Sequence, residues 1–215
     1  MALKFDVRAF QVDLSATFAE PAFELAENRG QLIKAVHSRL APHGLPLSEI
    51  RAGAIGKLDD PVLTCAALNW AANFVIRVDR VDVTCFDRAV AEQLNSVFPA
   101  VVDAVLGIVP GATAEAYSSE VSAHVALPVG ELENTFRVFW PAKAPAGLAT
   151  PTGVGSIFSF GPDGNRVSAR LFLDRSLTVE GGIFVSVTTT YKVRPADFLE
   201  HFAAILSALG FEKHA

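Results

Sequence analysis

The chain has 215 residues, of which 51% are hydrophobic and 19% charged, with a formal net charge of −5. This length and apolar content can supply a substantial core, so the composition excludes a disordered chain. The acidic balance and the lack of any run of basic residues exclude a surface built to neutralise the phosphates of nucleic acid.

The sequence predicts a cytoplasmic protein without a membrane partner. Its first residues lack the uninterrupted apolar core of a signal peptide, and no apolar run reaches the ~18 residues of a membrane-spanning helix. Cys65 and Cys85 form no CxxC pattern, which is typical of free cysteines in a reducing compartment. The preference for Arg over Lys is typical of GC-rich bacterial genomes, so we expect a bacterial protein.

The N-terminal segment predicts a strand followed by a helix. From Phe10 to Phe18 apolar and polar residues alternate, which is the period of a strand with one buried face. The apolar residues before Ala9 have the opposite parity, which predicts a bulge near Ala9. Helical spacing follows within GQLIKAVHSRL, and Pro42 and Gly44 predict its end. Strands are expected next at 50–56 and at 62–70.

The stretch from Asn73 to Gly107 contains two alternating runs and then a helix. The buried parity changes between the runs, which predicts a bulge or tight turn near Asp79 and Arg80. Asp87 is a candidate N-cap for the helix, and Pro99 predicts a kink or restart near Ser96.

The second half predicts more strands and a closing helix. An alternating strand begins at Val121, and Phe136, Val138 and Trp140 suggest an antiparallel partner. The segment 141–155 has three prolines and three glycines, which predict an irregular segment that does not serve folding: a surface loop, a partner-binding arm or a mobile lid. Strands are expected at 157–160, 167–173 and 183–191. A closing helix is expected to carry Pro195 in its first turn and to end at Gly210.

Both halves therefore end on a strand followed by a helix, at Gly107 and Gly210. This pattern predicts an α+β fold: one mainly antiparallel, bent sheet built from two related strand-strand-helix halves, with helices packed on one face. We expect one domain over residues 1–215, with an internal duplication into 1–107 and 108–215.

The ionisable residues form no specific catalytic pattern. The sequence contains no GxSxG elbow, no HExxH pair and no GxGxxG motif after a strand. Its histidines do not have the spacing of clustered zinc ligands, so we expect no metal and no cofactor. Asp79 and Asp82 flank the predicted turn, and His124 has the polar parity of its strand. For all three, turn chemistry or solvation is the ordinary explanation, and a polar site is the alternative.

The aromatic residues suggest a binding surface more strongly than the ionisable ones. Phe139 and Phe172 have the parity opposite to the apolar majority of their strands, and Trp140 and Leu148 are further large apolar residues near the predicted arm. A helix of the same chain could cover such a surface, or the surface could form a groove for a partner or a ligand.

Two functions remain open from the sequence. The first is a non-enzymatic protein-interaction or assembly module that self-associates or binds a protein partner. It would act through a sheet edge, through the aromatic face or through the 141–155 arm. The alternative is a small hydrophobic ligand-binding or hydrolytic protein with a cavity between the sheet and the C-terminal helix.

Overall fold

The fold is one antiparallel sheet with helices, and thus α+β as predicted. A computed structural model describes residues 3–128, 130–132, 155–208 and 211–213. Nine strands of the sheet pair antiparallel to their neighbours, and a tenth short strand pairs parallel to the first. No helix in these ranges is both long enough and apolar enough to cross a membrane.

The first half contributes five strands and four helices. The strands are β1 (Leu3–Phe18), β2 (Arg51–Ala52), β3 (Leu63–Ala67), β4 (Ala72–Ile76) and β5 (Arg80–Cys85). Helices α1 (Glu24–Glu27) and α2 (Arg29–Leu40) follow β1, and α3 (Arg88–Ala91) and α4 (Leu94–Leu106) follow β5. Two single 3₁₀ turns, Ala41–His43 and Leu47–Glu49, connect α2 to β2.

The second half contributes five strands and a closing helix, and Glu131 and Leu132 are also helical. The strands are β6 (Ala114–Ala126), β7 (Ser156–Phe160), β8 (Arg166–Arg175), β9 (Gly182–Tyr191) and β10 (Phe211–Lys213). Helix α5 (Glu200–Ala208) lies between β9 and β10.

The two longest strands pair at the centre of the sheet. The strand order is β2-β3-β4-β5-β1-β6-β9-β8-β7, with β10 beside β1. Val12 of β1 is opposite Val121 of β6, and both are buried. Because side chains alternate along a strand, this register places the buried parities of β1 and β6 on the same face.

The buried apolar residues form two clusters. The larger contains Val12 and Leu14 of β1 together with residues of α2, α4 and β3 to β5. The smaller contains Val125 of β6, Leu171 of β8 and Leu206 of α5. Phe10 and Phe202 are half-buried and pack against both clusters, so they lie where the two meet.

Several local predictions are confirmed. The register between β1 and β6 shifts between Val7 and Ala9, which is the expected bulge. The parity change after β4 is a tight turn, closed by a hydrogen bond of 2.9 Å from the Arg77 amide to the Arg80 carbonyl. Helix α2 buries Leu32, Val36 and Leu40, and Gly44 ends the following turn at φ +82°.

Two strand predictions need correction. The strand expected at 62–70 ends at Ala67, because Leu68, Asn69 and Trp70 adopt left-handed backbone with φ between +56° and +69°. The strand expected at 50–56 is reduced to β2, two residues long. Gly53 follows it, and a Cβ there would lie 2.1 Å from the Pro61 carbonyl oxygen, so this close crossing requires glycine.

The helix after β5 restarts earlier than predicted. Asp87 is the N-cap of α3, since its carboxylate accepts a hydrogen bond of 2.8 Å from the Ala89 amide. The interruption lies at residues 92–93, where hydrogen bonds spanning three residues tighten the chain. Pro99 therefore lies inside α4 and not at a break near Ser96.

The closing helix begins later than predicted. It starts at Glu200, so Pro195 precedes it and Phe198 belongs to the connection from β9. Gly210 and the expected strand around Phe136, Val138 and Trp140 lie outside the described residues, as does the segment 141–154.

Candidate functional site

The clearest concave site is a cavity of about 320 Å³ between the sheet and α5. Strands β1 and β6 form its floor. One wall consists of residues in and just after α3, and the other consists of Leu199 and residues of α5. The lining residues are Val7, Phe10 and Val121 of the sheet, Arg88, Ala91 and Glu92 on one wall, and Leu199, Phe202, Ala203 and Leu206 on the other.

Two half-buried aromatic residues lie where the floor meets the α5 wall. The ring centroids of Phe10 and Phe202 are 6.3 Å apart in an edge-on arrangement. Phe10 follows the bulge in β1, and this bulge gives Val7 and Phe10 the parity of the buried face. The cavity therefore lies at the junction of the two apolar clusters.

Hydrogen bonds from α4 hold the segment that leads into α5. The Asn95 side chain donates to the Asp197 carboxylate at 2.9 Å and accepts from the Phe198 amide at 3.0 Å. Asp197 also accepts from the Leu199 amide at 2.7 Å, so a continuous set of bonds fixes the start of the wall. Phe198 is buried and makes edge-on contacts with Phe98 and Tyr191.

A second link ties the same segment to α4. The Arg194 guanidinium pairs with the Asp103 carboxylate through two nitrogens and lies 5.8 Å from the centre of the Tyr117 ring. The hydrogen bond to Asp103 raises the pKa of Arg194. This pair is partly exposed, so it contributes more to the position of the segment than to stability.

The cavity presents apolar surface inside and charge only on the α3 wall. Arg88 and Glu92 are exposed, and neither side chain forms a hydrogen bond or ion pair with another described residue. Such a site can bind an apolar group by removing it from water and can place a polar end beside the two charged side chains.

The predicted polar residues Asp79 and Asp82 are held by arginines. The Arg80 guanidinium contacts Asp79 at 2.8 Å, Asp82 at 3.2 Å and Asp59 at 2.8 Å, and Arg77 also pairs with Asp82. The hydrogen bond from Arg80 lowers the pKa of Asp59. These contacts form an ion-pair network around the β4–β5 turn.

His124, the third predicted polar residue, lies apart from this network. Its Nδ1 is 2.9 Å from the Ser176 hydroxyl, and its ring is 4.9 Å from that of Phe184. Asp82 faces Ser15, which pairs with Ser118. His124 is six residues further along β6, a distance of ~20 Å at the rise of a strand. The structure therefore brings together Asp79 and Asp82 but not His124.

Among the predicted binding residues, Phe172 lies within the described ranges. It is half-buried on the sheet face opposite the apolar clusters, and its ring centroid is 6.0 Å from that of Phe184. Ile157 is its partner on β7 and is exposed. Phe139, Trp140 and Leu148 lie outside the described residues, so the predicted cluster is represented by Phe172 alone.

The centre of the same face is polar. Asp13 accepts hydrogen bonds of 2.6 Å from both Gln11 and Thr84, and its cross-strand partner is Glu120. Glu120 accepts a hydrogen bond of 3.0 Å from Ser186. Side chains of the sheet thus donate hydrogen bonds to both carboxylates.

The two cysteines are buried free thiols in the sheet. Burial raises the pKa of Cys65 to about 12 and also raises the pKa of Cys85. Both thiols therefore stay protonated at neutral pH and act as small apolar residues.

Sequence reasoning missed several residues that line the cavity. Arg88 and Glu92 belong to no recognisable sequence motif, and Phe202 was not among the predicted site residues. The predicted bulge near Ala9 was the one feature of the sequence that pointed to this region, because a bulge changes the sheet face to which the following residues project.

Within the described ranges, no group of three or more His, Cys, Asp and Glu side chains is placed to hold a metal ion. No protein-family model matches the chain, and a search of curated proteins found no significant match.

Proposed function

We propose that the protein binds a small apolar or amphipathic molecule in the cavity between the sheet and α5. The observation that carries this proposal is the apolar cavity itself, at the junction of two clusters that otherwise bury their apolar residues. A junction between two packed units is a common place for a ligand site.

The size and lining of the cavity define the kind of ligand. Its volume of about 320 Å³ lies at the lower end of the ~300–1,000 Å³ typical of ligand sites, which favours a small molecule. Phe10, Phe202 and Leu206 offer apolar contact, whereas Arg88 and Glu92 offer polar groups on one side. An amphipathic ligand would place its apolar part against the sheet.

We further propose that the sheet consists of two related halves within one domain over residues 1–215, with helices packed on one face. The strand order supports this: β1 and β6 form the centre, each flanked by the strand of its own half that precedes a helix, β5 or β9. A helix follows each of those strands, α4 in one half and α5 in the other.

A bulky residue on the cavity wall tests the binding proposal. Ala203 is exposed and lines the cavity, so Ala203→Trp should fill the space without disturbing the core. We expect saturable binding of 1-anilinonaphthalene-8-sulfonate and of decanol to the folded wild-type protein. The substitution should weaken both at least tenfold, as measured by fluorescence titration and by competition with decanol.

The matched control is Ala204→Trp, because Ala204 is also exposed on the same helix but does not line the cavity. This variant should bind both probes as the wild type does. An equal loss of probe binding in the two variants, or undiminished binding in Ala203→Trp, would exclude the cavity as the binding site. Circular dichroism verifies that each variant is folded.

A second candidate function is self-association through β7 and the adjoining aromatic surface. Ile157 and Phe160 of β7 are 64% and 40% exposed, and β7 ends the strand order of the described residues. A strand in this position can pair with the same strand of a second copy across a two-fold axis. Phe172, beside Ile157, would then adjoin the interface.

Substitution of Ile157 tests this second candidate. Ile157→Lys should convert a dimer to a monomer, because a charged side chain opposes pairing of exposed edges. Leu177→Lys is the control, since Leu177 is a fully exposed apolar residue outside β7. Light scattering after size-exclusion chromatography measures the mass, and a wild-type monomer at working concentration would rule out the dimer.

A further inference from the structure

The connection between β3 and β4 has an unusual backbone. Leu68, Asn69 and Trp70 have φ values of +56°, +56° and +69°, in a region that residues other than glycine rarely occupy. Asn tolerates this conformation better than other residues, but Leu and Trp do not share that tolerance. Three such residues in succession require that the surrounding structure holds them there.

The contacts that hold this backbone are identifiable. The Leu68 side chain is buried, and its amide donates to the His43 carbonyl at 3.0 Å. The Ala71 amide donates to the Leu68 carbonyl at 3.2 Å, and the Phe86 amide to the Ala71 carbonyl at 3.2 Å. The connection is thus anchored on both sides, and its conformation places Trp70 at the surface with 64% of the residue exposed.

Trp70 borders a groove of about 270 Å³ on the sheet. Four polar side chains line the same groove: Glu49, Arg51 of β2, Thr64 of β3 and Asn73 of β4. Arg51 and Thr64 are direct cross-strand partners, and Asn73 is the partner of Ala66. None of the four side chains forms a hydrogen bond or ion pair with another residue in the described part of the chain.

We propose that this groove binds a neutral pyranose sugar, with the ring stacked on Trp70. One face of a pyranose is lined by C–H groups, and its edge carries hydroxyls that both donate and accept hydrogen bonds. The indole offers a flat apolar face, while Arg51 donates, Glu49 accepts, and Asn73 and Thr64 do both. The single positive and single negative charge balance, which favours a neutral ligand over an anion or a cation.

This site is separate from the cavity beside α5 and does not depend on it. The two sites have no lining residue in common. The sugar groove also explains why a large apolar residue is held at the surface in a backbone conformation that it does not favour.

The test uses the tryptophan as its reporter. The chain has two Trp residues, so Trp140→Phe leaves Trp70 as the single source of tryptophan emission. Methyl glucoside, methyl mannoside, methyl galactoside and N-acetylglucosamine are titrated into this full-length variant. We expect at least one of them to change the emission saturably, with a Kd of ~1–10 mM. Saturation-transfer NMR on the wild type provides an independent measurement.

Three substitutions assign the binding to the groove. Trp70→Ala should abolish saturation transfer, and Asn73→Ala and Arg51→Met should each raise the Kd at least fivefold. Phe86→Ala is the control: Phe86 is an exposed aromatic at the same end of the sheet that does not line the groove, so its loss should leave binding unchanged.

The proposal is overturned if none of the four sugars binds at ~100 mM, a concentration well above the expected Kd. It is equally overturned if binding persists in folded Trp70→Ala, or if sodium glucuronate binds more tightly than the neutral sugars. If circular dichroism shows that Trp70→Ala does not fold, the Arg51→Met and Asn73→Ala variants test the proposal instead, because both residues are exposed.

Discussion

Replacing Phe198 by Ala should lower the free energy of unfolding by about 3–5 kcal/mol. Phe198 is 1% exposed, and its ring makes edge-on contacts with Phe98 of α4 and Tyr191 of β9. The substitution removes these contacts and leaves a space between an element of the first half and one of the second. A domain holds ~5–15 kcal/mol in total, so the loss should be a large share of it.

Urea denaturation followed by circular dichroism measures this loss. The matched control is Phe202→Ala, the same substitution at a half-buried position on the cavity wall. We expect a clearly smaller loss there, because part of that ring is already in contact with solvent. An equal or larger loss in Phe202→Ala would contradict the assignment of Phe198 as the aromatic residue that joins the halves.

Leu171→Ala should lower the free energy of unfolding by about 2–5 kcal/mol. Leu171 is 1% exposed and belongs to the smaller apolar cluster, on strand β8. Leu177→Ala is the control: Leu177 is 99% exposed in the turn after β8, and its truncation should change stability by less than ~0.5 kcal/mol.

The two core substitutions together test whether residues 1–215 form one domain. Phe198 and Leu171 belong to different clusters, so the losses in the double variant should add within ~0.5 kcal/mol if they are independent. A single cooperative domain should show one shifted transition in each variant. Two separate transitions, with one unaffected by Leu171→Ala, would show that the halves unfold independently.

The alternation of apolar residues was sufficient to predict most of the strands. The buried parity of β1 from Phe10 to Phe18 and that of β9 from Ile183 to Tyr191 follow directly from sequence. Both parity changes in the first half were also predicted, one as the bulge before Ala9 and one as the turn after β4. These features are local, because a period of two is a property of neighbouring residues.

The wrong predictions of strand and helix ends have local physical causes that the alternation of apolar residues does not reveal. Leu68 is apolar and directly follows β3, but its amide donates to the His43 carbonyl and the chain turns away from β3. The restart before α4 depends on hydrogen bonds at residues 92–96 rather than on Pro99. The start of α5 depends on Asn95, which holds Asp197 and Phe198 outside the helix.

The candidate site was less predictable than the fold. The cavity is lined by residues that are distant in sequence, such as Val7, Arg88 and Phe202. The strand order and the placement of the helices bring them together, and no short sequence motif indicates this. The sequence did suggest where such a cavity would lie, between the sheet and the C-terminal helix. The sequence did not indicate which residues would line the cavity.

The place of β1 in the sheet has a consequence for how the protein is made. This strand is synthesised before every strand it pairs with, and its partners include β6, which begins at Ala114, and β10, which begins at Phe211. While the ribosome is still adding the second half, β1 can pair with β5 but must leave its other edge open. Contacts so distant in sequence form slowly, and an open edge can pair with another nascent chain. The period before β6 emerges is therefore when newly made chains are most exposed to aggregation and most in need of a chaperone.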